Sequence, residues 1–421
     1  MYLREHKKPI YFLKINPYGW KRASLPKLKE TASQVLSQKS LSREKILSMD
    51  WSQRNEYLRT FVLQRQERDW EQKTGAKPGA SHFTLIVPIH NEENSLPSFL
   101  GTLMLSDVPS TVHMQVVLVT NACNDASIDI LKDFLSGLGT VVERRVIGKF
   151  IDQNIHPFCE VVEKDHLTFI HIQTSTASKA NALGIGNVIA YQRGHIITMS
   201  LDANNFVEPD AICTLFAYAY RAFHNRLEPN DTVLFGSYGI SVVKASRVKV
   251  LMDNISLKYV HMVDGERGRI NGWMMAWNTI WMNGNGGPPG VALEDYAMGV
   301  LARLHHYQFQ EPEGVNVWGY VVNDFKGLFD TRARFVRGKM QICDYFDYDP
   351  NVVNIIESEA FYMKKFMFRL QYLLRRLMHD PLNLPRYVVT FLIWECAIWK
   401  GMKDYKRDPK NQSWEKIAST Y

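Results

Sequence analysis

The sequence predicts an α/β fold in which a parallel sheet is covered on both faces by helices. Three observations predict it. Between residues 82 and 205, short apolar runs alternate with longer amphipathic ones. The short runs are nearly continuous in apolar residues, as in strands buried on both faces. Each run ends abruptly in a polar cluster, which marks the strand end where the chain turns into a helix.

The elements follow in order. "HFTLIVPIHNEE" reads as a strand, "SLPSFLGTLML" as a helix, "MQVVLVTNACND" as a strand and "ASIDILKDFLSGL" as a helix. Residues 143–166 read as irregular. Then come strand "LTFIHIQ", helix "ASKANALGIGNVIAYQ" and strand "HIITMSLDANN". Residues 20–73 read as helical: Trp51, Leu58, Phe61 and Val62 keep helical spacing, and Asp50 with Gln53 resembles a capping box. The Gly and Pro content of "KTGAKPGAS" marks a linker. The expected organisation is a helical N-terminal extension (1–80), a central domain (81–341) and a helical C-terminal region (342–421).

Composition narrows the function. An apolar fraction of 46% argues against disorder. A net charge of +7 favours anionic ligands or surfaces but is too small and too spread out for a nucleic-acid partner. The five cysteines stand at least 36 residues apart, which fits neither a disulfide framework nor a metal clip. They suit the cytoplasm. "MYLREHKKPIYFLKIN" has no secretory core. "YVVTFLIW" is broken by Glu395 and falls short of the roughly 20 residues a span needs.

Ligands bind open α/β sheets at the carboxyl ends of the strands. Those ends carry Pro88, His90, Asn91, Glu92 and Glu93; Thr120, Asn121, Asn124 and Asp125; and Asp202, Asn204 and Asn205, with Lys179 and Asn181 opening a helix between. Any single cluster, taken alone, reads first as a helix cap, with Asp125, Ser127 and Asp210 well suited to that task. Asp202–Asn205 does not, because Pro209-Asp210 already supplies the next helix start. Asp202 and the amide oxygen of Asn204 suit Mn2+ or Mg2+ shared with phosphate oxygens. Downstream, a Gly/Pro loop (283–290) precedes Glu294-Asp295. Acids in a first turn complement the helix dipole, while a glycine loop directly before them suits a mobile lid. Arg332, Arg334, Arg337 and Lys339 with Phe335 suit diphosphate oxygens, or form a solvated basic face. Trp273, Trp277 and Trp281, four residues apart, read as a sugar-acceptor wall, or, for at least two of them, as a buried helix stripe.

Six segments together resemble the family-2 glycosyltransferases. They are "LIVPIHNEENSL", "VLVTNACNDAS", "SKANALGIG", "LDANNFVEPDA", "VALEDYAMGVLARLHHYQ" and "TRARFVRG", in the family's order, over about residues 82–341. The resemblance implies a GT-A fold with a mixed, mainly parallel sheet. It also implies inverting transfer of a sugar from a nucleotide diphosphate sugar, UDP-sugar favoured, to a hydroxyl acceptor such as a saccharide or glycolipid. By position, Pro88, Asn91, Glu92, Asn121 and Lys179 would serve the nucleotide, and Asp202 and Asn204 the diphosphate and a divalent cation. Asp295 of the Glu294-Asp295 pair would be the base. Arg334, Arg337 and Phe335 would lie over the diphosphate or acceptor. Asn204 stands where Asp is usual, Thr120-Asn121 replace a usually acidic pair, and Thr331 and Phe335 replace Gln and Trp, which argues against a processive polymer synthase. Two other classes compete: a non-catalytic sugar-nucleotide-binding or scaffold protein on the same fold, and a sugar-phosphate nucleotidylyltransferase, whose glycine-rich basic cradle "PIHNEEN" lacks.

Residues 360–378 form an amphipathic helix. Tyr362, Met363, Phe366, Met367, Leu370, Leu373, Leu374 and Leu377 lie on one face. Lys364, Lys365, Arg369, Arg375 and Arg376 lie on the other, with Phe361, Phe368 and Tyr372 among them. That face would meet anionic lipid at the inner membrane surface or another protein, or the helices would bury it against one another.

Overall fold

The computed structural model describes residues 82–110, 112–145, 158–164, 166–223, 230–242, 272–312, 314–320, 325–359, 366–379 and 384–409. The expected N-terminal helices, capping box and linker lie outside these residues. The core strands are β1 (His82–Ile89), β2 (His113–Asn121), β5 (Leu167–Thr174) and β6 (Ile197–Leu201). They run parallel in the order β6-β1-β2-β5. β3 (Val142–Arg145) and β4 (Phe158–Lys164) extend the β5 edge antiparallel. At the other edge, β10 (Met274–Asn278) runs antiparallel to β6, followed by β8 (Thr232–Gly236) and β11 (Gln308–Gln310). A three-stranded sheet, β7 (Asn205–Val207), β12 (Asn316–Tyr320) and β9 (Tyr238–Val242), follows from the end of β6. The sheet is thus mixed and mainly parallel, as expected.

Side chains of β1 alternate across the sheet, which divides the core in two. Phe83, Leu85, Val87 and Ile89 pack under α1 (Leu96–Met104), α2 (Ser127–Leu138) and α4 (Ala211–Phe223). Ile86 faces α3 (Lys179–Arg193), and that core continues through α5 (Thr279–Gly284), α6 (Glu294–Leu304), α7 (Phe325–Tyr345) and α8 (Pro350–Glu359). α9 (Phe366–His379) and α10 (Leu384–Arg407) complete the C-terminal region, with α10 laid along α7. Arg332 stacks 4.6 Å over the Trp394 ring, and a Cβ on Gly401 would come within 2.5 Å of the Ala333 carbonyl. α7 continues across residue 341.

Three expectations are corrected. The stretch 143–166 contains β3 and β4, whose charged residues suit an edge rather than the buried centre. The tryptophans do not form a helix stripe: Trp273 precedes β10, Trp277 lies in it and Trp281 lies in α5. Trp277 and Trp281 are fully buried, with indole N–H groups donating to Asn187 (2.8 Å) and His305 (3.2 Å). The Gly/Pro loop is packed. Residues 284–289 are buried, and the Asn285, Gly286 and Gly287 amides donate to the end of α5. Gly286 and Gly287 supply the positive φ (79° and 99°) this tight turn requires.

Candidate active site

The parallel register gathers the strand tips. Ile89 lies beside Thr120, and Asn121 beside Thr174. Asn91 (φ 56°) and Ala122 (φ 46°) turn the chain sharply off β1 and β2 at this edge. The two turns are tied together. The Asn91 side-chain oxygen accepts from the Asn124 amide (2.8 Å), Asp125 accepts from the Glu93 amide (3.0 Å), and His90 Nδ1–H donates to the Asn121 carbonyl (2.6 Å). Glu92 is buried: its amide donates to Ser127 Oγ (2.8 Å), and its carboxylate accepts from the Ser95 hydroxyl (2.6 Å). Asn121 is also buried, its amide donating to the Val119 (3.0 Å) and Ile89 (3.3 Å) carbonyls. Pro88, opposite Val119, is part of β1 itself.

Lys179 is the centre of the site. Ser178 caps α3, its hydroxyl accepting from the Asn181 amide, so Lys179 is the first helical residue. Its ammonium lies 2.7 Å from Asp202 at the tip of β6 and 2.9 Å from Glu294 in the first turn of α6. It also donates to the Gly272 carbonyl at 3.4 Å. Because β10 is antiparallel to β6, its beginning falls where β6 ends, and the Asp202 amide donates to the Trp273 carbonyl (3.0 Å). Asp295 fits against this same start. A Cβ on Gly272 would lie 2.4 Å from Asp295 Oδ2, so only glycine leaves that carboxylate its place. The other Asp295 oxygen accepts from the Tyr296 amide at 2.7 Å.

The charges are strongly coupled. Burial alone would lower the Lys179 ammonium, but Asp202, Glu294 and Asp295 hold it above its ordinary value. Burial raises Asp202; the ammonium opposes this, while Asp295 and Glu92 add to it. Burial likewise raises Glu294, against the pull of Lys179 and with the repulsion of Asp295. One ammonium therefore stands among several carboxylates, a field that favours a further cation.

The α7 residues sit alongside. Gln341 accepts from the Ala292 amide (3.0 Å), and a Cβ on Gly338 would come within 2.5 Å of Leu293 Cγ. Arg334 and Arg337 share that face by helical spacing (i, i+3, i+4, i+7) and so lie over the segment that leads into Glu294. Arg337 is buried, and neither its Nε–H nor that of Arg334 meets an acceptor among the described residues. Buried donors of this kind call for an anionic partner. Lys339 instead stacks 4.5 Å over the Tyr296 ring, and Phe335 packs on the core with the Arg332 guanidinium 5.8 Å from its ring centre.

Asp202 and Asn204, both half-buried, offer oxygen donors two residues apart. One or two protein ligands suffice for Mg2+ or Mn2+ when diphosphate and water complete the shell, so the residues fit such an ion, sharing Asp202 with Lys179. Among the described residues, no group of three or more His, Cys, Asp or Glu is arranged to hold a metal.

Gly272 and Gln341 escaped the sequence reading. A single glycine before a tryptophan, or a glutamine in a basic helix, carries no signal until the strand and helix they oppose are known.

No family model matches the chain, and no curated protein is detectably similar to it. Solved structures are. The mannosyltransferase PcManGT from Pyrobaculum calidifontis, in complex with GDP-Man and Mn2+, is 17% identical over 91% of this chain and 93% of its own, with a TM-score of 0.43. S. aureus TarS 1-349 in complex with UDP-GlcNAc is 11% identical over 77% of this chain and 92% of its own, with a TM-score of 0.37. Glucosyl-3-phosphoglycerate synthase from Mycobacterium tuberculosis, with Mn2+, UDP and phosphoglyceric acid, is 12% identical over 65% of this chain and 82% of its own, with a TM-score of 0.37.

Proposed function

We propose that the protein is a nucleotide-sugar-dependent glycosyltransferase that inverts the transferred sugar, with a UDP-sugar as the favoured donor. One observation carries the reading: Lys179 draws Asp202 from a strand tip and Glu294 from a separate helix into one site, beside Asp295. A cap or a solvated acidic turn has no reason to bury an ammonium between two such carboxylates.

The roles divide by position. Asp295, not engaged at close range by the ammonium, takes the proton of the acceptor hydroxyl. The acceptor oxygen forms its bond to the sugar's anomeric carbon as the bond to the diphosphate oxygen breaks on the opposite face, which inverts the centre. Glu294 holds Lys179 rather than acting as the base. Arg334 and Arg337 supply donors for the departing diphosphate. Asp202 and Asn204 would hold a divalent cation, which when bound neutralises charge on the leaving group. Asn91 and Pro88 edge the nucleotide side. Glu92 and Asn121, both buried, support the two loops there and reach the nucleotide only if those loops open. Trp273, half-buried beside Asp202, offers a ring to the acceptor.

The test is UDP-sugar hydrolysis with manganese by the wild type, Asp295→Asn and Asp202→Ala. We expect each substitution to lower turnover by about 10²–10⁴-fold. Equal activity in all three would reject the assignment. A thermal-shift series with UDP, GDP, dTDP and CMP, with and without divalent ions, identifies the nucleotide by selective stabilisation.

A further inference from the structure

We infer that the exposed face of α9 and α10 docks on an anionic lipid surface. Eleven large hydrophobic side chains are exposed among the described residues, and six of them are on these two helices: Phe366, Met367, Leu374, Val389, Leu392 and Trp399. On α10 the exposed positions 389, 392, 396, 399, 403 and 407 recur at spacings of three and four, so they form one stripe. The stripe is apolar through Trp399 and cationic in the last turns, at Lys403 and Arg407. The Lys403 ammonium lies 5.1 Å over the Trp399 ring.

The stripe is not what holds α10 in place. Other residues do that: Trp394 under Arg332, Gly401 against α7, and Glu395 paired at 2.5 Å with the buried Arg369 of α9. An apolar stripe beyond those contacts is surface presented outward.

Charge selects the occupant. Residues 360–409 contain ten Lys and Arg against four Asp and Glu, which is nearly the whole +7 surplus of the chain. An apolar stripe with an indole at its edge and lysines beside it matches the boundary between lipid tails and anionic headgroups. The core of a protein–protein interface is instead depleted of lysine. Among the described residues, no helix is long and apolar enough to cross a membrane, so the face would lie on the bilayer. The sequence reading placed such a face on 360–378 with aromatics among its cations. Of that face, Arg369 turns inward to Glu395, the other cations and the aromatics among them lie outside the described side chains, and the exposed apolar residues are shared equally between α9 and α10. The inference stands independently of the transfer reading.

The full chain is sedimented with vesicles of phosphatidylcholine alone and of phosphatidylcholine and phosphatidylglycerol in equal parts. Wild type, Leu392→Glu/Trp399→Glu and Lys403→Glu/Arg407→Glu are compared. The wild type is expected to bind the anionic vesicles and not the neutral ones. Each double variant is expected to lower binding by about tenfold or more, with an unchanged unfolding temperature. Equal binding to both vesicle types, no binding, or variants that bind as the wild type does would overturn the inference. So would lipid-free self-association abolished by Trp399→Glu, which would assign the face to a second copy of the chain.

Discussion

Replacing Lys179 with methionine tests the centre of the site, because it keeps the length of the side chain and removes its charge. The Lys179 side chain is 14% exposed and its partners Asp202 and Glu294 are 17% and 8% exposed, so water screens the cluster weakly. At an effective dielectric of about 20, each contact is worth about 6 kcal/mol before costs are counted. Desolvation and the mutual repulsion of the carboxylates offset most of this, and deleting one partner of a buried pair costs about 3–5 kcal/mol. The loss should depend on pH. Burial already holds Asp202 and Glu294 above their ordinary values, and without the ammonium both rise further. A carboxylate raised in the folded state binds more protons folded than unfolded between its two pKa values. The variant therefore gains stability as pH falls through that window and loses it as pH rises. Urea unfolding should show the larger loss at the higher of two pH values. As pH falls, the gap to the wild type should narrow by up to about 1.4 kcal/mol per pH unit for each proton the variant takes up in excess. A gap that stays constant with pH, or no loss at all, would refute the coupling.

Three further predictions follow from the same geometry. Gly272→Ala places a methyl 2.4 Å from Asp295 Oδ2 and 2.8 Å from its Cβ, so donor turnover should fall by about tenfold or more and the unfolding temperature should fall with it; unchanged turnover would mean that the position of Asp295 is immaterial. Gly338→Ala drives a methyl against Leu293 and should cost about 1–3 kcal/mol in chemical denaturation; a gain in stability would show that Leu293 yields freely. Burial holds His195 down at about 3, with Thr84 Oγ1 2.8 Å from its Nδ1. The unfolded chain binds the extra proton below about pH 6.5, so this residue removes stability as pH falls, by up to about 1.4 kcal/mol per unit. His195→Gln should flatten that part of the acid limb, and an identical slope in the two proteins would contradict it.

Much of the site was legible because strand ends in a parallel sheet are polar for a reason the sequence displays. Buried apolar runs mark β1, β2, β5 and β6, and the polar residues directly after them must lie at one edge. Asp202 and Lys179 were found in this way, and Glu294-Asp295 from the glycine loop directly before two acids that open a helix. The relation among them was not. Lys179 and Glu294 are more than a hundred residues apart, and nothing local states that one ammonium bridges two carboxylates.

Sequence alone determined the α/β class and the main helices and strands, and pointed to the polar residues at the strand ends, since these follow from short-range periodicity and capping. Only the tertiary structure decided that β10 returns antiparallel to set Gly272 against Asp295, that Glu92 and Asn121 are buried, that the glycine loop is packed, and that Arg369 turns inward while α9 and α10 together present the exposed apolar face. Each of these depends on which distant surface a side chain meets. Packing and desolvation between remote segments fix that choice, and a linear pattern contains no record of it.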